Sequence, residues 1–568
     1  MLLKNKSIST QLVFTFMLII PFWYGLFYEY SAMFAGAVLT IILAVILIQK
    51  KQFIWRKSLH FYLYAFLIFS YLLATLWAVD KGQALDGFLK FLPALIFFVI
   101  LMQLDKQEIK DLFISIPYSG IAMCLLAYVL RFIPFIDPIL FSENGRLVGF
   151  FQYSNTFALY LLIGLIVLWD KQEKSIKDYL GIIVLFSGII LSGSRIVFVL
   201  LILFGIYQII KKRKNKKGIL ISIGISIAVL LAIALLLQLL GQFQVITRLF
   251  SISFTESTFL GRIIYNLDGI MLLLQHPFGL GYGGYEWIYP SIQTADYDIK
   301  FVHNDILQQG LDTGIIPMIV LLFLLIHTLI NKKTTRLAKE ITCVLLFHLF
   351  FDFDLQFTIM HFILVMLIFE EDAKIIRHKL QSKVLVTATL VIILSVFLYF
   401  GIANMAMQKG NTDLAENMLS YKTKIAKLGE ITNMQEANKQ ADEILKSNPY
   451  VAVAYHIKAE NALYEENWED MIKYKKQAIE LEPYEILGYE EYVLLISQAL
   501  DKTIKQKENK WSQKLITHLS EVEELLEKVK QKTNPLAYEI ADKPNLELSQ
   551  EITQYLLNFK EEEKDVKN

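Results

Sequence analysis

Long apolar runs recur through the first 403 residues and constrain the fold more than any other feature of this sequence. A run near 20 residues matches the thickness of a bilayer core, and in lipid every backbone amide must be satisfied within its own segment. With a composition that is 55% hydrophobic, the runs predict an all-α fold, a polytopic transmembrane bundle of about 12–13 helices over residues 1–403. The runs fall at about 11–28, 33–49, 59–78, 88–104, 112–135, 154–169, 179–193, 195–210, 218–240, 315–330, 341–356, 357–370 and 384–403.

Lysine and arginine are distributed unevenly between the connecting loops. The loops on one side carry about 25 of them, and the opposite loops carry about eight. Basic residues concentrate on the cytoplasmic side of membrane proteins, so we expect a cytoplasmic N-terminus and an extracytoplasmic loop at 241–314. Thirteen spans then place the C-terminal segment outside as well. The basic run 211–217 could be a nucleic-acid or headgroup patch; we interpret it as a topology anchor and expect no nucleic-acid partner.

The composition changes near residue 404, and a soluble helical domain is predicted over 404–568. Pro449 and Pro483 each stand before a tyrosine and lie 34 residues apart, which is the period of tetratricopeptide repeats. Two to three degenerate repeats are therefore expected over about 415–500, with a helical cap at 511–533. Such repeats usually present a concave binding surface. We expect the tail to bind a partner, and truncation after Asn404 to leave the activity measurable.

The segment 241–314 is rich in glycine and aromatic residues, whereas the flanking chain is aliphatic. A loop of this length inside a membrane bundle indicates function rather than a simple connection. It contains His276-Pro277-Phe278-Gly279-Leu280-Gly281, whose glycines permit a tight, close-packed backbone. Their spacing fits neither a phosphate loop nor a dinucleotide fold, so we predict no nucleotide and no cofactor.

Two arginines stand on the side where basic residues are scarce. Arg195 follows a Ser-Gly-Ser turn between two spans, and Arg262 lies early in the long loop with Tyr265 close behind. Neither arginine is a topology anchor there. Arg195 either snorkels to lipid headgroups or recognises an anion, since a guanidinium offers a bidentate fork to phosphate oxygens. The same reasoning applies to Arg262.

Polar side chains in two other outward segments also require interpretation. Asn155 precedes the sixth span and either caps that helix or contacts substrate. Asn304 is similarly placed to cap a short helix that runs to Leu311. Beside it, His303 lies at the mouth of the bundle and faces arginines of other segments, which makes it a reasonable general base.

Two carboxylates lie close to the edge of a span, in Phe351-Asp352-Phe353-Asp354. Charges at membrane depth are costly and are usually functional. These could pair with an arginine, coordinate a cation or only terminate the span, and the sequence does not separate the three. We predict no metal cluster. Cys124 and Cys343 both fall inside apolar runs, so they are expected to pack as small hydrophobic residues rather than form a disulfide.

The order of these residues resembles the O-antigen ligase and O-antigen polymerase superfamily of bacterial envelope glycan transferases. The similarity covers about residues 60–370, and the order, spacing and outward placement of the motifs carry it more than any single motif. The motifs are Asn155 with Ala158, Ser194-Arg195, Arg262, His276-Pro277 with Gly279 and Gly281, and His303-Asn304 with Leu307 and Gly314.

The resemblance implies transfer of a glycan from an undecaprenyl-diphosphate carrier to an acceptor, outside the bacterial membrane, without a metal or nucleotide sugar. By position, Arg195 and Arg262 would bind the diphosphate and His303 would act as base. Asn155, Asn304, Tyr265, His276, Gly279 and Gly281 would line the substrate site. Membrane lipid is a further partner, and the tail is expected to reach an envelope protein. The tail also departs from many members of the superfamily, which makes an outer-core lipopolysaccharide acceptor doubtful.

Two other functions compete with this enzyme. A flippase for lipid-linked sugars should carry polar residues along the interior of several spans, whereas these spans are nearly clean and the unusual residues gather at their ends. A membrane-anchored scaffold that acts through its tail leaves the outward motifs unexplained. The enzyme is therefore favoured, although the choice between polymerase and ligase, the sugar and the acceptor stay open.

Overall fold

The computed structural model describes residues 6–211, 244–250, 257–379, 383–415, 422–540 and 543–567, with isolated positions at 224, 235 and 238. The apolar run expected at 218–240 lies outside this description. Within the described residues, the first part of the chain is helical, with one short pair of strands. Its elements are α1 (Ile8–Ile19), α2 (Glu29–Lys50), β1 (Gln52–Lys57), α3 (Leu59–Ala74), α4 (Lys81–Gln103), α5 (Lys106–Phe113), α6 (Ser115–Leu130), α7 (Asp137–Leu140), α8 (Ser154–Asp170), α9 (Ile176–Ser192), α10 (Arg195–Lys211), α11 (Gln244–Phe250), α12 (Ser257–Gln275), α13 (Gly284–Ile292), α14 (Asp305–Thr313), α15 (Ile315–Ile330), α16 (Arg336–Leu349), α17 (Thr358–Ile368), β2 (Lys374–Lys379) and α18 (Lys383–Gln408).

The helix boundaries follow local capping chemistry. The Ser58 hydroxyl accepts a hydrogen bond from the amide of Phe61 at the start of α3. The Asp80 carboxylate accepts one from the amide of Gln83 at the start of α4. Such caps satisfy amides that the first helical turn leaves free. At the end of α9, Gly193 adopts a left-handed φ of 61°, which allows the chain to turn and begin α10 two residues later.

The predicted all-α polytopic fold is confirmed. Five of the described helices are long and apolar enough to cross a membrane, namely α2, α4, the continuous pair α5–α6, α12 and most of α18. Shorter apolar helices include α1, α3, α8, α15 and α17. The buried side chains of these helices, except those of α12, form one large apolar core. The chain is a multi-pass membrane protein.

The boundaries of three predicted spans are wrong, at two places in the chain. The run 11–28 is helical only to Ile19, and residues 20–28 form two short 3-10 turns. The runs 341–356 and 357–370 are instead α16 and α17, separated by a connecting segment at 350–357. In both places aromatic residues keep the sequence apolar while the backbone leaves the helix, so hydropathy does not reveal the break. In addition, β1 and β2 form an antiparallel pair in an otherwise helical chain.

Three consecutive residues between α1 and α2 lie in the left-handed region. They are Tyr24, Gly25 and Leu26, with φ of 54°, 58° and 62°. Non-glycine residues pay about 1–2 kcal/mol each for this conformation. Space also excludes a side chain at Gly25, because a Cβ there would lie 2.7 Å from the Phe151 ring. The chain between α1 and α2 is therefore held in one unusual shape by its packing.

The described part of the segment 241–314, residues 244–250 and 257–314, was expected as a loop and is a folded unit. It contains α11, α12, α13 and α14, and a buried apolar cluster joins α12 to α14 through residues such as Ile264, Tyr285 and Leu311. Its compactness comes from glycine and aromatic residues that lack a simple helical period, so the sequence pattern suggests a loop. We call the end of the bundle that carries this unit the loop end.

The tail is helical, as expected, and consists of consecutive antiparallel helices. Pro449 and Pro483 both lie in turns between helices. Whether these helices are tetratricopeptide repeats stays a prediction. They are α19 (Thr412–Ala415), α20 (Lys422–Leu428), α21 (Met434–Ser447), α22 (Ala452–Tyr464), α23 (Trp468–Leu481), α24 (Ile486–Gln506), α25 (Asn509–Ser520), α26 (Val522–Lys532) and α27 (Gln550–Lys567).

The tail packs against the folded unit at the loop end. Ala537 and Ile540 are 0% and 3% exposed and belong to the same apolar cluster as Ile264 and Tyr285. The amide of Asn534 donates a hydrogen bond of 2.8 Å to the carbonyl of Thr294. The tail and the 241–314 unit therefore lie on the same side of the bundle.

The side on which they lie is a prediction from charge, and labelling can test it. In a variant whose two native cysteines are replaced by alanine, Ser447→Cys should react with an impermeant maleimide in intact cells. Ser447 is exposed in the tail. Asp372→Cys is the control, because Asp372 is exposed at the opposite end and should react only after lysis. Labelling of position 447 only after lysis would contradict the proposed orientation.

Candidate active site

Four connecting segments meet at the loop end around the side chain of Asp352. They are the segment before α8, the turn between α9 and α10, the segment before α14, and the segment between α16 and α17. The start of α12 also reaches Asp352, through Arg262. Asp352 is 0% exposed although it carries a charge. Buried charges are stable only when they are paired and hydrogen-bonded. The partners of this carboxylate therefore define the site.

Both carboxylate oxygens of Asp352 have several donors. Oδ1 accepts from the Tyr153 hydroxyl at 2.7 Å and from the Phe353 amide at 3.0 Å. Oδ2 accepts from Asn155 Nδ2 at 2.8 Å and from Arg262 Nη2 at 3.3 Å. Burial by itself would raise the pKa of Asp352, but Arg262 and His303 hold the pKa of that carboxyl well below its usual range. Asp352 is therefore ionised throughout the physiological pH range.

His303 is oriented by the same carboxylate. Its Nδ1 lies 3.2 Å from Asp352 Oδ1, and its ring is packed by Phe353 at 5.0 Å and Tyr265 at 6.1 Å between centroids. A carboxylate at Nδ1 favours the tautomer that carries its proton there, which leaves Nε2 with a lone pair. The side chain of His303 is 19% exposed. The histidine can therefore accept a proton from a molecule bound at the loop end.

Four arginines surround this pair. Arg195, the first residue of α10, lies within electrostatic reach of Arg248 and Arg262. Arg146 lies within reach of Arg195 and Arg248, and burial together with Arg248 lowers its pKa to about 10. Asp352 is the carboxylate at the centre of these four positive charges, and its single negative charge does not balance them. The surplus of positive charge suits a multiply charged anion, because guanidinium groups bind phosphate oxygens in pairs.

Arg146 also connects two parts of the site. Its Nε donates to the Ser192 carbonyl at 2.8 Å, and its Nη2 donates to Asn155 Oδ1 at 2.9 Å. Because Asn155 in turn donates to Asp352, Arg146 ties the turn that precedes Arg195 to the central carboxylate. Of the two roles that the sequence left open for Asn155, the structure excludes the cap of α8, and substrate contact stays a prediction.

The other predicted residues fall into two groups. Tyr265 stays at the site, where its ring packs on Tyr297 at 4.5 Å. Asn304 does cap α14, as one of the sequence-based alternatives proposed, and its Oδ1 accepts from the Leu307 amide at 3.1 Å. Its Nδ2 donates to Asn266 at 2.8 Å, so both polar ends of the side chain are occupied.

His276, Gly279 and Gly281 are not brought to Asp352. His276 follows the end of α12, fourteen residues after Arg262, which corresponds to about 21 Å along the helix axis. The amides of Leu280 and Gly281 donate to the carbonyls of Leu311 and Asp312, at the end of α14. A Cβ at Gly279 would lie 2.6 Å from the amide nitrogen of Gly314. The structure gives this motif a packing contact, and a role in substrate binding stays a prediction.

Sequence reasoning missed Asp352 as the centre and missed Tyr153, Arg146 and Arg248. Arg146 and Arg248 belong to the about eight basic residues of the sparsely charged side, so that scarcity is the signal that could have found them. The sequence offered no comparable indication of which residues contact Asp352, because Arg262 and His303 lie 90 and 49 residues away from it in the chain.

Asp354 has a different role from Asp352. Its Oδ1 accepts from Thr156 at 2.7 Å, and its Oδ2 lies 2.5 Å from His348 Nδ1, with both side chains fully buried. Nearby Asp305 accepts from the Leu355 amide at 2.8 Å, and burial raises the pKa of its carboxyl well above the usual range. These contacts lock the connecting segment 350–357 onto the bundle and thereby position Asp352.

The described residues contain no group of three or more His, Cys, Asp or Glu side chains arranged to hold a metal ion. The site instead combines a cluster of arginines with a histidine held by a carboxylate. This arrangement can bind a phosphorylated group and accept a proton beside it. Fold and site together define a multi-pass membrane protein with a cluster of arginines and a carboxylate-held histidine at one end of its bundle.

Comparison with known proteins narrows this class. Residues 180–324, about a quarter of the chain, match the model of a family described as O-antigen ligase. This segment runs from α9 into α15 and contains Arg195, Arg262 and His303. A search of curated proteins finds no match. The family match supports the O-antigen ligase superfamily, and with it a membrane glycosyltransferase-like enzyme of surface polysaccharide biosynthesis that acts on a lipid-linked glycan.

Proposed function

We propose that this protein transfers glycan units from an undecaprenyl-diphosphate carrier to a hydroxyl group of an acceptor, on the outer face of the bacterial membrane. The observation that carries the proposal is that Asp352 holds both Arg262 and His303, with Oδ2 and Oδ1 respectively. A phosphate-binding group and a proton acceptor are thus fixed beside each other. Transfer from a lipid diphosphate needs both.

The reaction is a displacement at the anomeric carbon. Nε2 of His303 takes the proton of the acceptor hydroxyl while that oxygen forms the new glycosidic bond. The bond between the anomeric carbon and the diphosphate breaks, and the electron pair stays on the leaving phosphate. A single displacement of this kind inverts the anomeric configuration. The products are the lengthened or transferred glycan, the free lipid diphosphate and a protonated His303.

The arginines stabilise the charge that develops on the leaving group. Arg195 and Arg262 approach from α10 and α12, and Arg146 and Arg248 add positive charge nearby. Because the diphosphate is already a good leaving group, it needs no strong general acid. Prepositioned charges of this type act without reorganisation during the reaction. The proposal therefore assigns no step to a metal or a nucleotide cofactor.

Replacement of Arg195 tests the role of the cluster. We expect Arg195→Ala to lower transfer from purified lipid-linked donor by roughly 10- to 100-fold, because three arginines remain and the loss of one prepositioned group costs a few kcal/mol. Arg195→Lys should recover part of the rate, since lysine keeps the charge and lacks the bidentate fork. Arg131→Ala is the control, because Arg131 lies over the Phe141 ring and pairs with Asp137 at 3.6 Å. Equal rates in wild type and Arg195→Ala would contradict diphosphate binding by Arg195.

The choice between polymerase and ligase depends on the product. A polymerase variant that has lost activity should leave single repeat units on the lipid carrier and no polysaccharide ladder. A ligase variant should leave assembled polymer on the carrier. Lipid-linked intermediates extracted from cells that carry His303→Ala distinguish the two. Accumulation of neither intermediate, with the protein at its normal level, would instead favour a scaffold.

A further inference from the structure

Six aromatic side chains form a continuous row at the loop end, which we call the aromatic ridge. It begins at His303, whose ring lies 5.0 Å from that of Phe353, and it ends between α1 and α2. The successive centroid distances are 5.7, 6.2, 5.4, 5.6 and 6.0 Å. In this order the members of the ridge are Phe353, Phe301, Phe27, Tyr28, Tyr30 and Trp23.

The exposure of the ridge differs from that of core residues. Phe301 is 3% exposed, whereas the other five rings are half-buried, so each shows part of its surface. Tyr28 follows directly on the left-handed stretch at residues 24–26, and α2 begins beside it at Glu29. The segment that follows this unusual backbone thus carries partly exposed rings, and successive ring contacts connect them through Phe301 and Phe353 to His303.

Polar groups accompany the exposed rings. The Glu29 carboxylate accepts from the Tyr282 hydroxyl at 2.7 Å and lies beside Tyr28 in the chain. Lys300 is within electrostatic reach of Glu29 and Tyr28, and its Nζ lies 5.5 Å from the centre of the Phe301 ring. Aromatic faces attract the slightly positive C–H face of a sugar, and charged groups next to them can bond its hydroxyls. This pairing of ring faces with charged groups suits a carbohydrate.

We propose that the aromatic ridge binds the sugar rings of the glycan and leads its reacting end to His303. The inference rests on the proposed function for the identity of the ligand, and it extends that function by assigning residues to the glycan itself rather than to the diphosphate. The ridge reaches His303 through the Phe353 ring, whereas Arg262 is connected to His303 through Asp352. Carrier and glycan would therefore be held by separate parts of the loop end.

The main rival is an aromatic belt, since tryptophan and tyrosine commonly sit at membrane interfaces. A belt would anchor the protein and would not affect glycan affinity. Trp77 provides a matched control: it is 42% exposed, lies just beyond α3 at the loop end and donates to the Phe278 carbonyl at 3.0 Å, near the far end of α12. A belt function predicts equal effects of replacing Trp23 and Trp77.

The test measures binding and transfer with the full-length protein in nanodiscs. The probe is a set of surface-polysaccharide oligosaccharides released by mild acid from the producing cells. We expect Tyr28→Leu and Trp23→Leu each to raise the Kd and the KM for these oligosaccharides by roughly three- to tenfold, the worth of one aromatic contact. The kcat should stay near the wild-type value, and Trp77→Leu should change none of the three. Leucine keeps an apolar side chain, and Tyr28→Phe provides a second, milder variant that should retain most of the affinity.

Two outcomes would overturn the ridge. One is wild-type affinity in both leucine variants, and the other is the absence of oligosaccharide binding by the wild type. Arg195→Ala separates this inference from the proposed function, because it should slow transfer and leave the oligosaccharide Kd unchanged. Ridge-dependent binding without any transfer by the wild type would disprove the transferase and leave the ridge as a glycan site.

Discussion

Asp352→Asn is expected to lower glycan transfer by roughly 10²- to 10⁴-fold, the range seen when an oriented catalytic base loses its function. An amide in place of the carboxylate has the same shape. The amide is uncharged, so it cannot pair with Arg262 as a carboxylate does. It also no longer favours the tautomer of His303 that carries its proton on Nδ1. The histidine would then be turned or held in the wrong tautomer. The measurement is the rate of transfer from purified lipid-linked donor at saturating concentrations.

The role of Asp352 is to position His303, and a double variant tests this directly. If Asp352 acts through the histidine, His303→Ala combined with Asp352→Asn should be no slower than His303→Ala alone. His303→Gln should be almost as slow, because an amide can hydrogen-bond the acceptor hydroxyl and cannot take its proton. Additive losses in the double variant would show that Asp352 acts independently, for example through Arg262 only.

Asp354→Asn is the matched control for this experiment. Asp354 is two residues away and equally buried, and it pairs with His348 and Thr156. Its replacement should lower stability, because a buried pair is broken. The rate per correctly folded molecule should change far less than in Asp352→Asn. A similar loss of rate in both variants would mean that the whole segment 350–357, rather than the Asp352 carboxylate, is what matters.

Ile540→Asp is expected to cause the second large effect, loss of most transfer through unfolding of the unit at 241–314. Ile540 is 3% exposed and packs in the core that contains Ile264 and Tyr285. Removal of such a side chain costs about 2–5 kcal/mol, and a buried unpaired charge adds to this. Because α12 carries Arg262, disruption of this core should disorder the site. Transfer rate and protease resistance of residues 257–314 are the two measurements.

Two further variants separate the tail contact from general damage to the tail. Leu557→Asp changes an exposed residue of α27, at 49% exposure, and should have little effect. Leu546→Asp changes a residue that is 4% exposed in the core of the tail's own helices, so it should destabilise the tail more than the 241–314 unit. Full transfer by Ile540→Asp would show that the contact is dispensable. Because Ile540 of the tail completes the core beside α12, we no longer expect truncation after Asn404 to leave transfer measurable.

Features that depend on interactions within one segment of the chain could be predicted from the sequence, whereas contacts between distant segments could not. The predicted helical bundle depends on hydropathy within single segments, and the structure confirms it. The boundaries near residue 20 and residues 350–357 were wrong because aromatic residues such as Phe27 and Phe353 are apolar in either backbone conformation. A helix cap was one of the two roles considered for Asn304, on the basis of its immediate neighbours, and Asn304 does cap α14.

For the candidate site, the sequence proposed Arg195 and Arg262 from the scarcity of basic residues on one side of the membrane, and His303 from its place at the mouth of the bundle beside them. It could not choose among three roles for Asp352, because the partners of that carboxylate belong to segments far away in the chain. The same limit concealed the link from Arg146 through Asn155 to Asp352.

The sequence by itself determined that the chain is a helical membrane protein with unusual polar residues at the ends of its spans, because lipid imposes local conditions on hydropathy and backbone hydrogen bonding. Only the tertiary structure decided which polar residues meet. The burial of Asp352 required partners for its charge, and the packing of distant segments supplied Arg262, His303 and Asn155. It also placed Ile540 of the tail in the core beside α12.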